Sequence, residues 1–478
     1  MFKLDKFNLT QKIAYNAVFS VAARVLEILI AFVTLKFTTN YLGLEGFGDY
    51  GIVMAFVYVF SVLADFGLYS LVVRDISVAG ADESKIVNNA LTIRLTLGAA
   101  VLLSAYFFSL FFPYSDMVRL GILVAALGYW LLNGIQVLMG LFQKHLLMDR
   151  VSVAEFAGRV VQFVGVVIGV KYDLGFFFII VTVFLGALFN FLMIMSYTKK
   201  LIKVRLEFDF AVWKDMLRRA FPLALSAILV LIYFKMDTIF LSVIKGSEAV
   251  GIYGLSYKVM ENLIFFPSMI VGLTMPLMSR TAFDDRKQFE SIMQRTLNFL
   301  LVAIVPIVLG IFAVSDKLVY LLSSPEFKDS IPVLNVLTVA LAFIFLGALF
   351  SNVIIALKEQ KQLARVYFCG ALFNVAANLY FIPRYSYFGA AYTTLATELL
   401  VTALMVWVIY KKINFIPSFA NLLRTGAAGL LMYAALKTMS SLDLVSMVAV
   451  GGIVYVASVF ALGGVSKEEM KKLLQKRA

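Results

Sequence analysis

The chain has 478 residues, of which 62% are hydrophobic and only 15% are charged, and its mean hydropathy is +0.92. Soluble domains carry roughly 25% charged residues, so this composition excludes a water-soluble multidomain protein. The net charge of +13 leaves nucleic-acid binding to be tested against the positions of the basic residues.

Apolar runs long enough to cross a bilayer recur along the whole chain. A bilayer core requires about 20 apolar residues in a helix. The runs are continuously apolar and do not alternate with polar residues, which indicates helices and not the strands of a barrel. We predict fourteen transmembrane spans, numbered 1 to 14 in chain order: 13–38, 47–72, 87–112, 117–141, 151–170, 174–197, 219–243, 249–278, 297–315, 331–357, 363–382, 387–410, 422–438 and 444–463.

Lysine and arginine residues are distributed unevenly between the two sides of this array. They concentrate in both terminal segments and in the loops after even-numbered spans, whereas the loops after odd-numbered spans carry few. Cytoplasmic loops of membrane proteins carry the excess of Lys and Arg. The distribution therefore predicts a multi-pass protein of the cell membrane with both termini in the cytoplasm, and it accounts for the net charge without a nucleic acid.

A nine-residue glycine pattern occurs after span 1 and again after span 7. Both copies, which start at Gly43 and Gly246, read G-x-E-x-x-G-x-Y-G. Glycine permits a tight turn, and repeated halves are a common plan of transporters. The repeat predicts two six-helix bundles, at residues 1–205 and 206–412, followed by two additional spans and a basic cytoplasmic tail at 413–478.

Several motifs make the chain similar to a known family. Asp65-Phe66-Gly67-Leu68 ends span 2, Asp237 precedes the second glycine pattern, and Ile382-Pro383 leads into Gly389. Together with the 6+6+2 order of spans, these motifs resemble the polysaccharide (lipid-linked oligosaccharide) flippases of the multidrug/oligosaccharidyl-lipid/polysaccharide transporter superfamily. The resemblance implies an all-α, MATE-like integral membrane fold, in which two pseudo-symmetric bundles surround a central cavity that opens alternately to either side.

Charged residues inside the apolar spans are the candidate site residues, because each is costly in a bilayer and tends to face a cavity or a partner. Polar or small residues follow one face of span 1 at helical period, and Arg24 and Glu27 lie on this face. Span 5 carries Glu155 and Arg159, and span 3 carries Arg94. We predict that these five residues line a substrate-binding cavity. The alternative is that Arg24 with Glu27, and Glu155 with Arg159, form merely local ion pairs, since their spacings are i,i+3 and i,i+4.

A second set of charged residues lies in the outer halves of spans 7 and 8. Lys235 and Asp237 belong to span 7, and Lys258 and Glu261 belong to span 8. We predict that these four residues act in gating or in ion coupling. The alternative is that they form static bridges between the two spans.

Neither enzymatic nor metal chemistry is indicated by the sequence. The chain has one cysteine, Cys369, and one histidine, His145, which are too few for a metal site of the Cys/His type. No phosphate-binding motif of the form G-x-x-x-x-G-K-[ST] occurs, which argues against direct use of ATP. We therefore expect no catalytic residue, no metal and no cofactor.

The predicted function is that of a flippase in cell-surface polysaccharide or glycan biosynthesis. It would move a polyisoprenyl-(pyro)phosphate-linked oligosaccharide from the cytoplasmic to the outer leaflet, with cavity arginines binding the phosphate because a guanidinium fork matches its oxygens. Membrane lipids would surround the lipid tail, Na⁺ or H⁺ would be the coupling ion, and a glycan polymerase or glycosyltransferases would be its partners. The alternatives are a cation-coupled multidrug exporter of the same superfamily and a membrane scaffold in glycan assembly.

Overall fold

The computed structural model describes residues 9–78 and 80–464. Within these ranges the regular structure is helical and contains no β-strand, which confirms the predicted all-α class. A short 3₁₀ helix, Pro325–Asp329, precedes α11. The α-helices are α1 (Leu9–Leu63), α2 (Leu68–Ile76), α3 (Glu83–Ser109), α4 (Asp116–Lys144), α5 (Met148–Lys171), α6 (Gly175–Thr198), α7 (Phe210–Lys245), α8 (Ser247–Leu263), α9 (Phe265–Asp284), α10 (Arg286–Leu322), α11 (Ser330–Ala356), α12 (Gln360–Ile413), α13 (Ala420–Thr438) and α14 (Leu444–Ala461).

Two of these helices are too long to cross a membrane once. The 55 residues of α1 would extend about 80 Å if straight, against a bilayer core of about 30 Å. Gly43 interrupts α1 with φ 66° and ψ −172°, and Ser386 interrupts the 54-residue α12 with φ 53° and ψ −133°. Spans 1 and 2 therefore share α1, and spans 11 and 12 share α12.

Contacts across α12 show that this helix folds back on itself. A Cβ atom added to Gly389 would lie 2.4 Å from the carbonyl oxygen of Phe381. Farther from the turn, Asn374 donates a hydrogen bond of 3.4 Å to Thr397, and a Cβ atom on Gly370 would lie 2.5 Å from Val401. At the ends of the helix, the Lys412 ammonium lies 2.6 Å from the Glu359 carboxylate. Each contact joins residues nearly equidistant from Ser386, so the two halves of α12 are antiparallel spans.

The predicted spans fall on helical residues, although spans 2 and 8 each extend over two consecutive helices, α1 with α2 and α8 with α9. In the described part of the chain, nine helices are long and apolar enough to cross a bilayer, and ten if the bent pair formed by α1 and α2 counts as one. Predicted span 2 is broken and not continuous, because α1 ends at Leu63 and α2 begins at Leu68, with a bend of 45° between the two helices. Phe66 (φ 52°) and Gly67 (φ 69°) adopt the left-handed conformation in this break, which a continuous helix excludes.

The chain divides into two compact units. Unit 1 comprises residues up to 251 together with 322–324, and unit 2 comprises 252–321 and the residues from 325 onward. Helix α7, which the repeat assigns to the second bundle, lies in unit 1. The division into bundles at 205 and 412 therefore stays a prediction from the repeat, and the basic tail from residue 465 lies outside the described residues.

The segment between α6 and α7 is held against the first turns of α3 in unit 1. Asn88 donates a hydrogen bond of 3.0 Å to the Lys203 carbonyl, and Asn89 accepts one of 3.1 Å from the indole of Trp213. Lys85 forms an ion pair of 3.0 Å with Asp209. Because Asn88, Asn89 and Trp213 are buried and their polar groups are paired here, this basic segment is a docked part of unit 1 and not a loose tether.

Candidate functional site

The polar face of α1 packs against α5. Near the start of α5, the side-chain amide of Asn16 donates to the Leu146 carbonyl (2.8 Å) and its oxygen accepts from the Asp149 backbone N–H (3.1 Å). One turn farther along, the hydroxyls of Ser20 and Ser152 lie 3.2 Å apart. Polar side chains inside a membrane bundle hydrogen-bond across helices in this way, so the polar stripes of spans 1 and 5 face each other.

Charged residues occupy the next turns of the same interface. Arg24 donates to Glu27 over 2.9 Å, with 44% of the arginine side chain exposed and only 6% of the glutamate. Glu155 of α5 interacts electrostatically with Arg24, Glu27 and Arg159. The structure thus brings four of the five predicted cavity residues together, and we call Arg24, Glu27, Glu155 and Arg159 the α1–α5 charged cluster.

Of the two local ion pairs that the sequence suggests as an alternative, the structure contains one. The pair between Arg24 and Glu27 is formed. No ion pair within 4.0 Å joins Glu155 to Arg159 among the described residues, and the Arg159 guanidinium instead lies 3.4 Å from the side-chain oxygen of Gln162. Arg159 is exposed at the surface of α5, so its charge is available to a ligand.

The fifth predicted cavity residue, Arg94, lies in different surroundings. It is fully buried and donates to the Asn133 carbonyl (2.7 Å), to Gln136 (2.9 Å) and to both the carboxylate and the carbonyl of Asp65. Asp65 belongs to the break after α1, where a helix end leaves carbonyl groups without intrahelical partners. The structure therefore places Arg94 as a support of this break, and its assignment to substrate capture stays a prediction that no contact supports.

The gate and coupling candidates divide between the two units. In unit 1, the Lys235 ammonium lies 5.3 Å from the centre of the Tyr58 ring, a cation–π geometry, and Asp237 is buried. In unit 2, Lys258 and Glu261 form an ion pair of 2.9 Å within α8. Their roles in gating or coupling stay predictions.

The two copies of the glycine pattern have the same backbone conformation at their first residue. Gly43 has φ 66° and ψ −172°, and Gly246 has φ 81° and ψ −172°. Positive φ favours glycine, which explains why this residue opens both copies. The first residue of the two copies therefore has the same conformation in the structure.

The two turns also contact each other within unit 1. A Cβ atom added to Gly48 would lie 1.8 Å from the carbonyl oxygen of Ser247, and one added to Gly251 would lie 2.4 Å from that of Leu44. Gly48 and Gly251 are the same position of the two copies, as are Leu44 and Ser247. The contact is thus reciprocal, and we call these four residues the repeat-turn contact.

The side chains that could bind a metal do not cluster within residues 9–78 and 80–464. No group of three or more His, Cys, Asp or Glu side chains with metal-binding geometry occurs among the residues that the structure describes. The free thiol of Cys369 is exposed. What the α1–α5 charged cluster does provide is the guanidinium groups of Arg24 and Arg159, and a guanidinium group can bind the oxygens of an anion through two parallel hydrogen bonds.

Comparisons with known proteins agree with this architecture. The probable flippase AglR of Haloferax volcanii is 23% identical over 254 residues, which are 51% of this chain and 53% of that protein. The teichuronic acid biosynthesis protein TuaB of Bacillus subtilis is 22% identical over 183 residues, 38% of this chain and 35% of that protein. The chain thus aligns with about half or less of the length of these curated relatives.

Solved structures match over a larger part of the chain. The lipid II flippase MurJ, in an inward closed conformation, superposes with a TM-score of 0.73 at 15% identity, over 93% of this chain and 98% of that one. At this identity the likeness concerns the fold alone. The sequence profile described as MatE matches residues 222–380.

A further sequence profile, described as polysaccharide biosynthesis protein, matches residues 13–282. This match spans more than half of the chain and includes the α1–α5 charged cluster and both copies of the glycine pattern. The chain therefore belongs to the polysaccharide biosynthesis protein family.

Proposed function

We propose that the protein is a flippase that moves a polyisoprenyl-(pyro)phosphate-linked oligosaccharide from the cytoplasmic to the outer leaflet by alternating access. The observation that carries the proposal is the α1–α5 charged cluster, in which a partly exposed arginine is held by a nearly buried glutamate inside an apolar helix. The names of the relatives, two of which are flippases and one a teichuronic acid biosynthesis protein, support it. Both termini would lie in the cytoplasm, as the distribution of basic residues predicts.

Each member of the cluster has a role in this proposal. The Arg24 guanidinium has five N–H groups in a planar fork and stays charged when water is removed. It can therefore bind phosphate oxygens while one N–H group remains on Glu27, which fixes its direction. Arg159 adds a second positive charge on the facing helix, and Glu155 limits the net charge so that a bound anion can also leave.

The rest of the substrate would be bound by weaker contacts. Hydroxyl and amide groups on the polar faces of α1 and α5, such as Ser20, Ser152 and Gln162, are suited to hydrogen bonds with sugar hydroxyls. The polyisoprenyl tail would stay among the membrane lipids, since moving it into a polar site would cost about 0.8 kcal/mol per CH₂ group.

The proposal is tested by flipping of a lipid-linked oligosaccharide in vesicles that contain the purified protein. We expect Arg24→Ala and the double variant Arg24→Ala/Glu27→Ala to insert and fold but to flip no substrate, and Arg24→Lys to retain part of the activity because it keeps the charge without the fork. Arg295→Ala, which removes an exposed arginine of α10, is the matched control and should flip normally. Flipping at the normal rate by the double variant would reduce the ion pair to a structural role, because a purely structural pair is replaceable at little cost.

The second candidate function is a cation-coupled multidrug exporter. The MatE profile match and two nearly buried carboxylates, Glu27 and Asp237, favour it, because Na⁺ or H⁺ could neutralise either one. If an ion drives transport, Glu27→Gln or Asp237→Asn should abolish the response to an imposed ion gradient. Export of cationic drugs without any flipping of a lipid-linked oligosaccharide would select this function over the flippase.

A further inference from the structure

A cavity of about 430 Å³ opens between the two ends of α12 in unit 2, far along the chain from the α1–α5 charged cluster. Both arms of the hairpin contribute to it, because the start and the end of α12 lie side by side. Its lining includes the charged residues Glu359, Arg365, Lys411 and Lys412 and the apolar residues Leu404 and Trp407.

The charges of this cavity are predominantly positive. Lys412 is neutralised by Glu359 over 2.6 Å. No carboxylate lies within ion-pair distance of Arg365 or Lys411 among the described residues; Arg365 contacts Gln362 at 3.4 Å, and the Lys411 ammonium lies 5.4 Å from the ring centre of Trp407. Two cations therefore remain for an anionic ligand.

Polarity changes with depth along both arms. On the second arm, Lys411 lies in the last turn of α12, Trp407 and Val408 lie one turn deeper, and Leu404 lies deeper still. On the first arm, Arg365 lies nearer the helix end than Cys369. A rise of about 1.5 Å per residue separates the cations from the apolar floor by roughly 6 to 10 Å.

This change from basic to apolar residues with depth matches a ligand that has an anionic headgroup and an apolar chain. Tryptophan and basic residues at the ends of spans lie at the level of lipid headgroups, and Trp407 is 57% exposed. A soluble anion would use the cations but not the apolar floor, whereas a phospholipid would place its phosphate on the cations and an acyl chain along Leu404 and Val408. Basic pockets between membrane helices on the cytoplasmic side bind anionic headgroups, and the charge distribution predicts that this side is cytoplasmic.

We infer that the cavity between the ends of α12 binds an anionic phospholipid of the cytoplasmic leaflet through Arg365 and Lys411. The site is separate from the substrate site of the proposed function and does not depend on it. A bound anionic phospholipid would thus contact both ends of α12 and hold them together.

Quenching of Trp407 fluorescence by brominated lipids tests the inference. The full-length protein is placed in phosphatidylcholine vesicles that contain increasing mole fractions of brominated phosphatidylglycerol or, in a parallel series, of brominated phosphatidylcholine. The signal of the Trp407→Phe variant is subtracted from each series. We expect brominated phosphatidylglycerol to quench at a mole fraction about 30-fold lower, on the basis of about fivefold per basic residue near the surface. Arg365→Gln/Lys411→Gln should abolish this preference.

The control variant is Lys358→Gln/Lys361→Gln, which removes two exposed charges at the same end of α12 without touching the cavity lining. It should keep the preference for phosphatidylglycerol. Equal quenching by both lipids in the unmodified protein, or a preference that survives in the Arg365→Gln/Lys411→Gln variant, would overturn the inference. Loss of quenching on addition of inorganic phosphate would also overturn it, because the site would then bind soluble anions.

Discussion

The repeat-turn contact makes a sharp prediction about two glycines. Gly48→Ala places a Cβ atom 1.8 Å from the carbonyl oxygen of Ser247, whereas Cβ atoms essentially never approach a neighbour closer than 3.0 Å. The obstacle is backbone and not the end of a flexible side chain. The two turns must therefore part by more than about 1 Å, or the contact must be lost. Gly251→Ala meets the same kind of obstacle, but its overlap is smaller, because the added Cβ atom would lie 2.4 Å from the carbonyl oxygen of Leu44.

The magnitude follows from the cost of overpacking. Adding a methyl group to a tightly packed site costs about 1 to 3 kcal/mol, which changes an equilibrium constant about 5- to 150-fold. We expect Gly48→Ala to lie at the upper end of this range and Gly251→Ala at the lower end. If the transport cycle passes through the state in which these turns touch, both variants should flip substrate more slowly.

Disulfide cross-linking measures the contact directly. Asp49 and Ser247 are hydrogen-bonded across it, so cysteines at these positions, in a Cys369→Ser background, should cross-link rapidly on oxidation. Adding Gly48→Ala should lower the cross-linked fraction at a fixed short time. Gly272→Ala is the matched control, because a Cβ atom there would meet no atom within 4 Å. Equal cross-linking in the Gly48→Ala and Gly272→Ala proteins would show that the two turns do not pack as closely as the structure indicates.

Two further predictions concern the stability of unit 1. Asp65→Ala should lower the free energy of unfolding by about 3 kcal/mol in thermal or denaturant unfolding, because it leaves the buried Arg94 without its counterion; an unchanged midpoint would contradict this. Hydrogen bonds from Lys144 and then His145 hold the pKa of Glu83 below its usual value. This contribution is present above the ordinary glutamate pKa of about 4.3 and lost as the pH falls through the lower folded value. Glu83→Gln should therefore make the unfolding midpoint less dependent on pH in that range.

The sequence predicts the helices and the repeat well because both depend on local chemistry. Continuous apolar runs form helices in a bilayer whatever their neighbours, and Gly43 and Gly246 are required by a backbone conformation that glycine adopts easily. The pair of Arg24 and Glu27 is also local, since residues three apart face each other on one helix. These features need no knowledge of tertiary packing.

The remaining site features depend on residues that are distant in the chain. The sequence predicts that Arg94 lines the cavity, because a charged residue in a membrane span is energetically unfavourable unless it faces a cavity or a partner. In the structure, the ion pair with Asp65, which is distant in the chain, offsets this unfavourable energy. The Asp-Phe-Gly-Leu motif was visible in the sequence, but nothing in the pattern joins it to span 3. The cavity of Arg365 and Lys411 likewise arises only when the two ends of α12 meet.

Depletion of the protein in its own cell shows whether it moves a lipid-linked oligosaccharide across the membrane. The measurement is the amount of lipid-linked oligosaccharide on the cytoplasmic face of spheroplasts, with the unmodified gene or Arg24→Ala supplied for complementation. We expect the oligosaccharide to accumulate on the cytoplasmic face and the unmodified gene to reverse this accumulation. Arg24→Ala should not reverse it, although the variant protein reaches the membrane. Normal exposure of the oligosaccharide on the outer face after depletion would contradict the flippase assignment.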